Sequence, residues 1–136
     1  MSQPNRALGA ILILTAVVTV AYWINYFTSA DVAVVSARWY TAYESSFPVA
    51  DGWLALCALL AGVGFLTGSN SAGRFGLLAG SAPLYLAAMD VTFDAENHLY
   101  PLAAQSDAMK FEIVINLWSL ILGVVTVATS WRRANG

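Results

Sequence analysis

The chain has 136 residues, 59% hydrophobic and 10% charged, against roughly one-quarter charged in soluble globular domains, and that composition argues against a water-soluble fold. Six basic and eight acidic residues leave a net charge of −2, which excludes the polybasic footprint of a nucleic-acid-binding protein. One cysteine, Cys57, and one histidine, His98, exclude a disulfide framework, a CxxC redox pair and a thiolate metal cluster.

Four apolar segments, at about residues 8–27, 49–67, 74–93 and 111–131, match the roughly 20 helical residues that a bilayer core of about 30 Å requires. None alternates with period two, so the expected fold is all-α: a single membrane domain, 1–136, built as a four-transmembrane-helix bundle. The first segment follows Arg6 and precedes Thr28-Ser29-Ala30, as a secretory signal would. It is longer than a signal core and ends in Tyr22, Trp23 and Tyr26, so it is expected to stay as a span with an aromatic interfacial anchor.

Between the first two spans, Val32, Val35, Trp39 and Tyr43 recur at three- and four-residue steps, with Asp31, Arg38 and Glu44 off that stripe. The pattern predicts a short interfacial helix in the first outer loop; an irregular aromatic loop is the alternative. Pro48 suits the first turn of the second span. Gly68 to Gly73 forms a short polar turn, so the second and third spans make a tight hairpin. On the third span, Gly76 and Gly80 lie four apart, and on the second Gly62 and Gly64 thin one face. Such glycines let backbones approach within a subunit, or form the seam of a homo-oligomer or larger membrane complex. Pro83 lies mid-span, where a kink would re-aim Asp90.

The charges divide by side. Arg6, Arg74, Arg132 and Arg133 fall at the ends that an even number of spans brings together, while all eight acidic residues fall at or beyond the opposite ends with only Arg38 and Lys110. By the positive-inside rule the expected location is a cell membrane, both termini cytoplasmic and the acidic face extracytoplasmic.

Each span carries one polar residue about one turn in from that face: Asn25, Asp51, Asp90 and Asn116. Ionisable groups within spans are costly and rare, so this ring is a candidate ligand-binding site, with Trp23 and Trp53 as aromatic walls. Cross-helix hydrogen bonding or helix capping is the structural alternative. Just beyond, Asp90, Asp94 and His98 follow at four-residue steps, and Glu112 lies one turn from Asn116. Asp51, Asp90, Asp94, Glu112 and His98 are therefore candidate metal ligands, and Glu44, Glu96 and Asp107 could add oxygens from the loops; for Glu44, Asp94, Glu96, His98, Asp107 and Glu112 a solvated role is the simpler expectation. A donor set so rich in oxygen suits Ca²⁺ or Mg²⁺ better than zinc. A carboxylate in an aromatic pocket also suits an organic ammonium group. Past Arg74 at the edge of the third span, the inner halves of the spans have no ionisable residue to line a conducting pore.

The strings Glu44-Ser45-Ser46-Phe47-Pro48-Val49-Ala50-Asp51 and Met89-Asp90-Val91-Thr92-Phe93-Asp94-Ala95-Glu96 resemble those of small, uncharacterised four-helix bacterial integral membrane proteins. The resemblance covers most of the chain and implies the fold, but no activity, substrate or cofactor. The DoxX-like proteins and the sterol-isomerase-related EXPERA domains share the span count but no motif.

The leading functional expectation is an outward-facing acidic pocket that binds a divalent cation or a small cationic or amphipathic ligand. One alternative is a non-catalytic accessory subunit of a larger membrane complex. Another is a membrane enzyme acting on a lipid-like substrate with an Asp acid or base. No motif decides whether the chain is an enzyme. The expected partner in every case is the lipid bilayer.

Overall fold

A computed structural model describes residues 3–29 and 33–135. Its elements are α1 (Arg6–Thr28), α2 (Arg38–Glu44), α3 (Pro48–Thr67), α4 (Ala72–Glu96), a short 3₁₀ helix (Tyr100–Ala104) and α5 (Asp107–Asn135). No strand is present among the described residues. Four helices are long and apolar enough to cross a membrane; in the second, α3 supplies the apolar run and the short α2 leads into it. Each expected apolar segment lies inside one of the helices α1, α3, α4 and α5. The helices extend by up to four residues beyond it.

The Asn5 side chain accepts the Leu8 N–H at 3.2 Å, satisfying a donor that the first turn of α1 leaves free. Pro48 sits in the first turn of α3, where its missing N–H is no loss. Gly68 stops α3 with φ 73°, in the left-handed region that favours glycine.

Neighbouring helices pack in the order α1–α3–α4–α5. Glycine lies at each of the three contacts, and at two of them the approach is reciprocal. A Cβ on Gly9 would lie 2.8 Å from the Gly62 carbonyl oxygen, and one on Gly62 would lie 2.8 Å from that of Gly9. Gly80 and Gly123 stand in the same reciprocal relation at 2.9 Å. Gly76 and Gly80 therefore seat α5 within the subunit, Gly76 facing Ser130. Gly62 and Gly64 do not share one face, since Gly62 meets α1 and Gly64 meets Ala72 of α4. Residues two apart on a helix point to nearly opposite sides.

At one end of the bundle Arg133 ties three chain segments together. Its Nη1 donates to the Gln3 carbonyl at 3.0 Å, its Nη2 donates to the Ser69 carbonyl at 3.2 Å, and its guanidinium lies 5.1 Å over the Phe65 ring. We call this the arginine end.

The opposite, acidic end is covered by α2. The expected stripe begins at Val32, which with Asp31 lies outside the described residues. Trp39 is half-exposed, while Tyr40 and Glu44 are buried, at 1% and 7% exposure. The inward face of α2 thus differs from the predicted one: it carries Tyr40, Glu44 and Tyr43, the last stacked on Phe93 with ring centroids 3.6 Å apart.

Candidate functional site

α3, α4, α5 and α2 each bring a carboxylate to the acidic end. Asp51, Asp90, Glu112 and Glu44 line one cavity of about 360 Å³. Carboxylate oxygens of Glu44, Asp90 and Glu112 all lie within 4.8 Å of one another, close enough to hold a metal ion. The rest of the cavity is largely apolar and aromatic, lined by Tyr22, Trp23, Leu54, Pro83, Phe111 and Trp118 among others. Pro83 stands inside an unbroken α4, where it removes the N–H that would bond the Ala79 carbonyl.

Neighbouring side chains orient several of the acids. Trp23 Nε1 donates to Asp51 Oδ2 at 2.8 Å, the Tyr40 hydroxyl donates to Glu112 Oε2 at 3.0 Å, and the Tyr43 hydroxyl donates to Asp90 Oδ1 at 3.5 Å. These donors are neutral. Among the described residues the one ion pair is Lys110 with Asp107, 2.8 Å apart on the surface, so no basic side chain is paired with the cluster.

Several polar atoms around the cluster are buried without a partner: both Asp94 carboxylate oxygens, Glu112 Oε1 and Asn116 Nδ2. Asp94 is fully buried and stands beside Asp90 and Glu112. Asn116 stands beside Asp90. Buried oxygens with no donor carry a desolvation cost that a proton or a cation would remove.

Glu44 belongs to α2, ahead of the Pro48 start of the long apolar helix. Burial first, and then the negative charges of Asp90, Asp94 and Asp51, push its carboxyl up to about 7. At neutral pH it therefore exchanges a proton readily, and a cation arriving in the cluster would displace that proton.

Of the residues expected to form the ring, Asp51 and Asp90 line the cavity and Asn116 is buried behind Asp90. Asn25 does not join them. It is exposed, because α1 turns Trp23 and Tyr26 inward, and Asn25 serves the helix end, its carbonyl accepting the Ser29 hydroxyl at 3.1 Å. Trp53 is half-exposed and lies outside the cavity, whereas Trp23 lines it. Asp94 and Glu112 join the acidic cluster, but His98 does not. α4 ends at Glu96, and His98 adopts φ 54° in the exposed turn beyond it, so the four-residue series Asp90, Asp94, His98 breaks at its last member. Glu96 and Asp107 are exposed.

Glu44, Asp94 and Glu112 are the members for which sequence reasoning favoured solvent; Glu44 and Asp94 are buried and Glu112 lines the cavity. For Glu44 the available signal was its spacing of four from Tyr40 in a helix too short for a dependable apolar stripe. Tyr40, which fixes Glu112 from 72 residues away, carried no local signal.

Compared with protein-family models, with curated proteins and with solved structures, the chain matches none. Its functional reading rests on the geometry of the site.

Proposed function

We propose that this chain is an integral membrane protein of four spans whose acidic end faces out of the cytoplasm, and that its acidic pocket binds a cation. The observation that carries this reading is the triad Glu44, Asp90 and Glu112, with oxygens within 4.8 Å of one another at the end of an apolar cavity. Several negative charges gathered at low dielectric repel one another and lose hydration, and a bound cation offsets both costs. An all-oxygen donor set with the Asn116 carboxamide nearby suits Ca²⁺ or Mg²⁺, which take carboxylate, amide and water oxygens. Exposure of His98 leaves zinc without its preferred nitrogen donor here.

Thermal melts of the purified protein with Ca²⁺, Mg²⁺ and Mn²⁺ test the reading. At least one ion is expected to raise the melting temperature of the wild type, and that rise should shrink in Asp90→Asn and Glu112→Gln. An equal rise in wild type and both variants would place the ion elsewhere and sink the proposal.

A further inference from the structure

The cavity does not end at the carboxylates. α1 packs on α3 and α5 on α4, but α1 and α5 scarcely touch, and the cavity occupies the gap between them. Two contacts bridge it: Trp118 Nε1 donates to Thr15 Oγ1 at 3.4 Å, and the Tyr22 and Phe111 rings stack with centroids 6.5 Å apart. Its lips are apolar and open, with Leu14 and Val18 on α1 and Val114 on α5 all more than half exposed. From Glu112 to Leu122 the cleft follows α5 for about 15 Å at the helical rise, which is half of the ~30 Å hydrocarbon core of a bilayer. Two of the hydroxyls that line it are engaged within the protein, Thr19 donating to the Thr15 carbonyl at 2.8 Å and Thr15 accepting from Trp118.

A bare metal ion would use the carboxylates and leave this cleft without a role. A primary ammonium group uses both. Three acceptors each about 2.8 Å from one nitrogen, at tetrahedral angles, stand about 4.6 Å apart; that spacing falls within the 4.8 Å bound on the Glu44, Asp90 and Glu112 oxygens. Tyr22, Trp23 and Phe111 line the same cavity and make its walls aromatic. Asp94, fully buried beside Glu112 with both oxygens unpartnered, adds negative potential behind the same point.

We propose that the ligand of this pocket is a lipophilic primary amine, its ammonium group held by Glu44, Asp90 and Glu112 and its chain laid along the α1–α5 cleft, entered sideways from the bilayer. This rests on the cation-binding reading and narrows it to one chemical class.

The test uses the full chain in phosphatidylcholine nanodiscs, with melting temperature and tryptophan fluorescence as readouts. The probes are hexadecylamine, hexadecanol with the same chain and no charge, propylamine with the same head and no chain, and Mn²⁺. Hexadecylamine should bind wild type more tightly than either hexadecanol or propylamine. Glu112→Gln, which keeps the shape of the side chain, should weaken it by about thirtyfold or more, as expected when one partner of a buried charge pair is lost. Val18→Trp, on an exposed lip, should block hexadecylamine while leaving the responses to Mn²⁺ and propylamine. Equal binding of hexadecanol, or an undiminished hexadecylamine response in Val18→Trp, overturns the amine proposal. A response to Mn²⁺ or propylamine without any to hexadecylamine overturns it as well and leaves the cation reading intact. If no cation of any kind shifts the wild type, both fall.

Discussion

Glu44 concentrates the chemistry of the site in one residue. Burial and three neighbouring carboxylates raise its carboxyl from an ordinary 4.5 to about 7. A group whose pKa is higher folded than unfolded contributes stability that is fully present below the unfolded value and is lost as pH rises through the folded one. The protein should therefore lose stability between about pH 4.5 and pH 7, by about 2–3 kcal/mol from this residue alone. Glu44→Gln should flatten that part of the profile and melt higher than wild type at pH 8. Melts at half-unit pH steps check this; parallel profiles for the two proteins would show that Glu44 is hydrated and not part of a buried cluster. The same residue shows where sequence reading stops. Asp51 and Asp90 stood out because charge inside an apolar run is costly, whereas Glu44 lies in a polar loop where charge is unremarkable, and only the closure of α2 over the bundle buries it.

At the scale of helices, length was legible and rotation was not. The four apolar runs are interrupted clearly enough to fix which residues form helices. A helix that is apolar nearly all round has no polar face to show which side meets its neighbours, and α1 illustrates the result: Asn25 and Trp23 were both candidates for the pocket, yet only Trp23 turns into it. Glycines partly replace the missing signal, since a close backbone approach needs them. Gly80 holds α4 against α5 at a point where a Cβ would lie 2.9 Å from both the Gly123 carbonyl and the Val127 N. Neither atom belongs to a side chain that can swing away, so Gly80→Ala must part the two helices, at a cost of about 1–3 kcal/mol. Asp90 and Glu112 ride on those helices, so cation binding should weaken together with stability. Gly52 has nothing within 4 Å of an added Cβ, and Gly52→Ala should leave stability unchanged or raise it by up to about 1 kcal/mol through helix propensity. Chemical or thermal denaturation of both variants checks the pair. Similar losses in the two would mean that close α4–α5 packing is not what Gly80 provides.

At the scale of the whole molecule, the two ends carry opposite chemistry. Arg133 joins the first described residues, the α3–α4 turn and the end of α5, so the sites richest in positive charge share one end. The carboxylate cluster and α2 occupy the other. If the bundle spans a bilayer, the positive-inside rule places the arginine end in the cytoplasm, and the proposed pocket then opens toward the outer leaflet. Cysteine labelling tests this directly, because Cys57 is the chain's only cysteine and is buried at 1% exposure. In a Cys57→Ala background, Ser45→Cys marks the turn after α2 and Asn70→Cys marks the α3–α4 turn, both at exposed positions. A membrane-impermeant maleimide added to intact cells should label Ser45→Cys and spare Asn70→Cys until the cells are lysed. The reverse pattern would turn the pocket toward the cytoplasm, where its ligand would have to be drawn from the inner leaflet. Labelling of both sites in intact cells would remove the spanning bundle itself, and with it the reason for a cleft lined by exposed apolar side chains. The deciding result is the pair, labelling of Ser45→Cys together with protection of Asn70→Cys, because protection alone would fit any intracellular protein, while the two together require α3, the long helix between them, to cross the membrane.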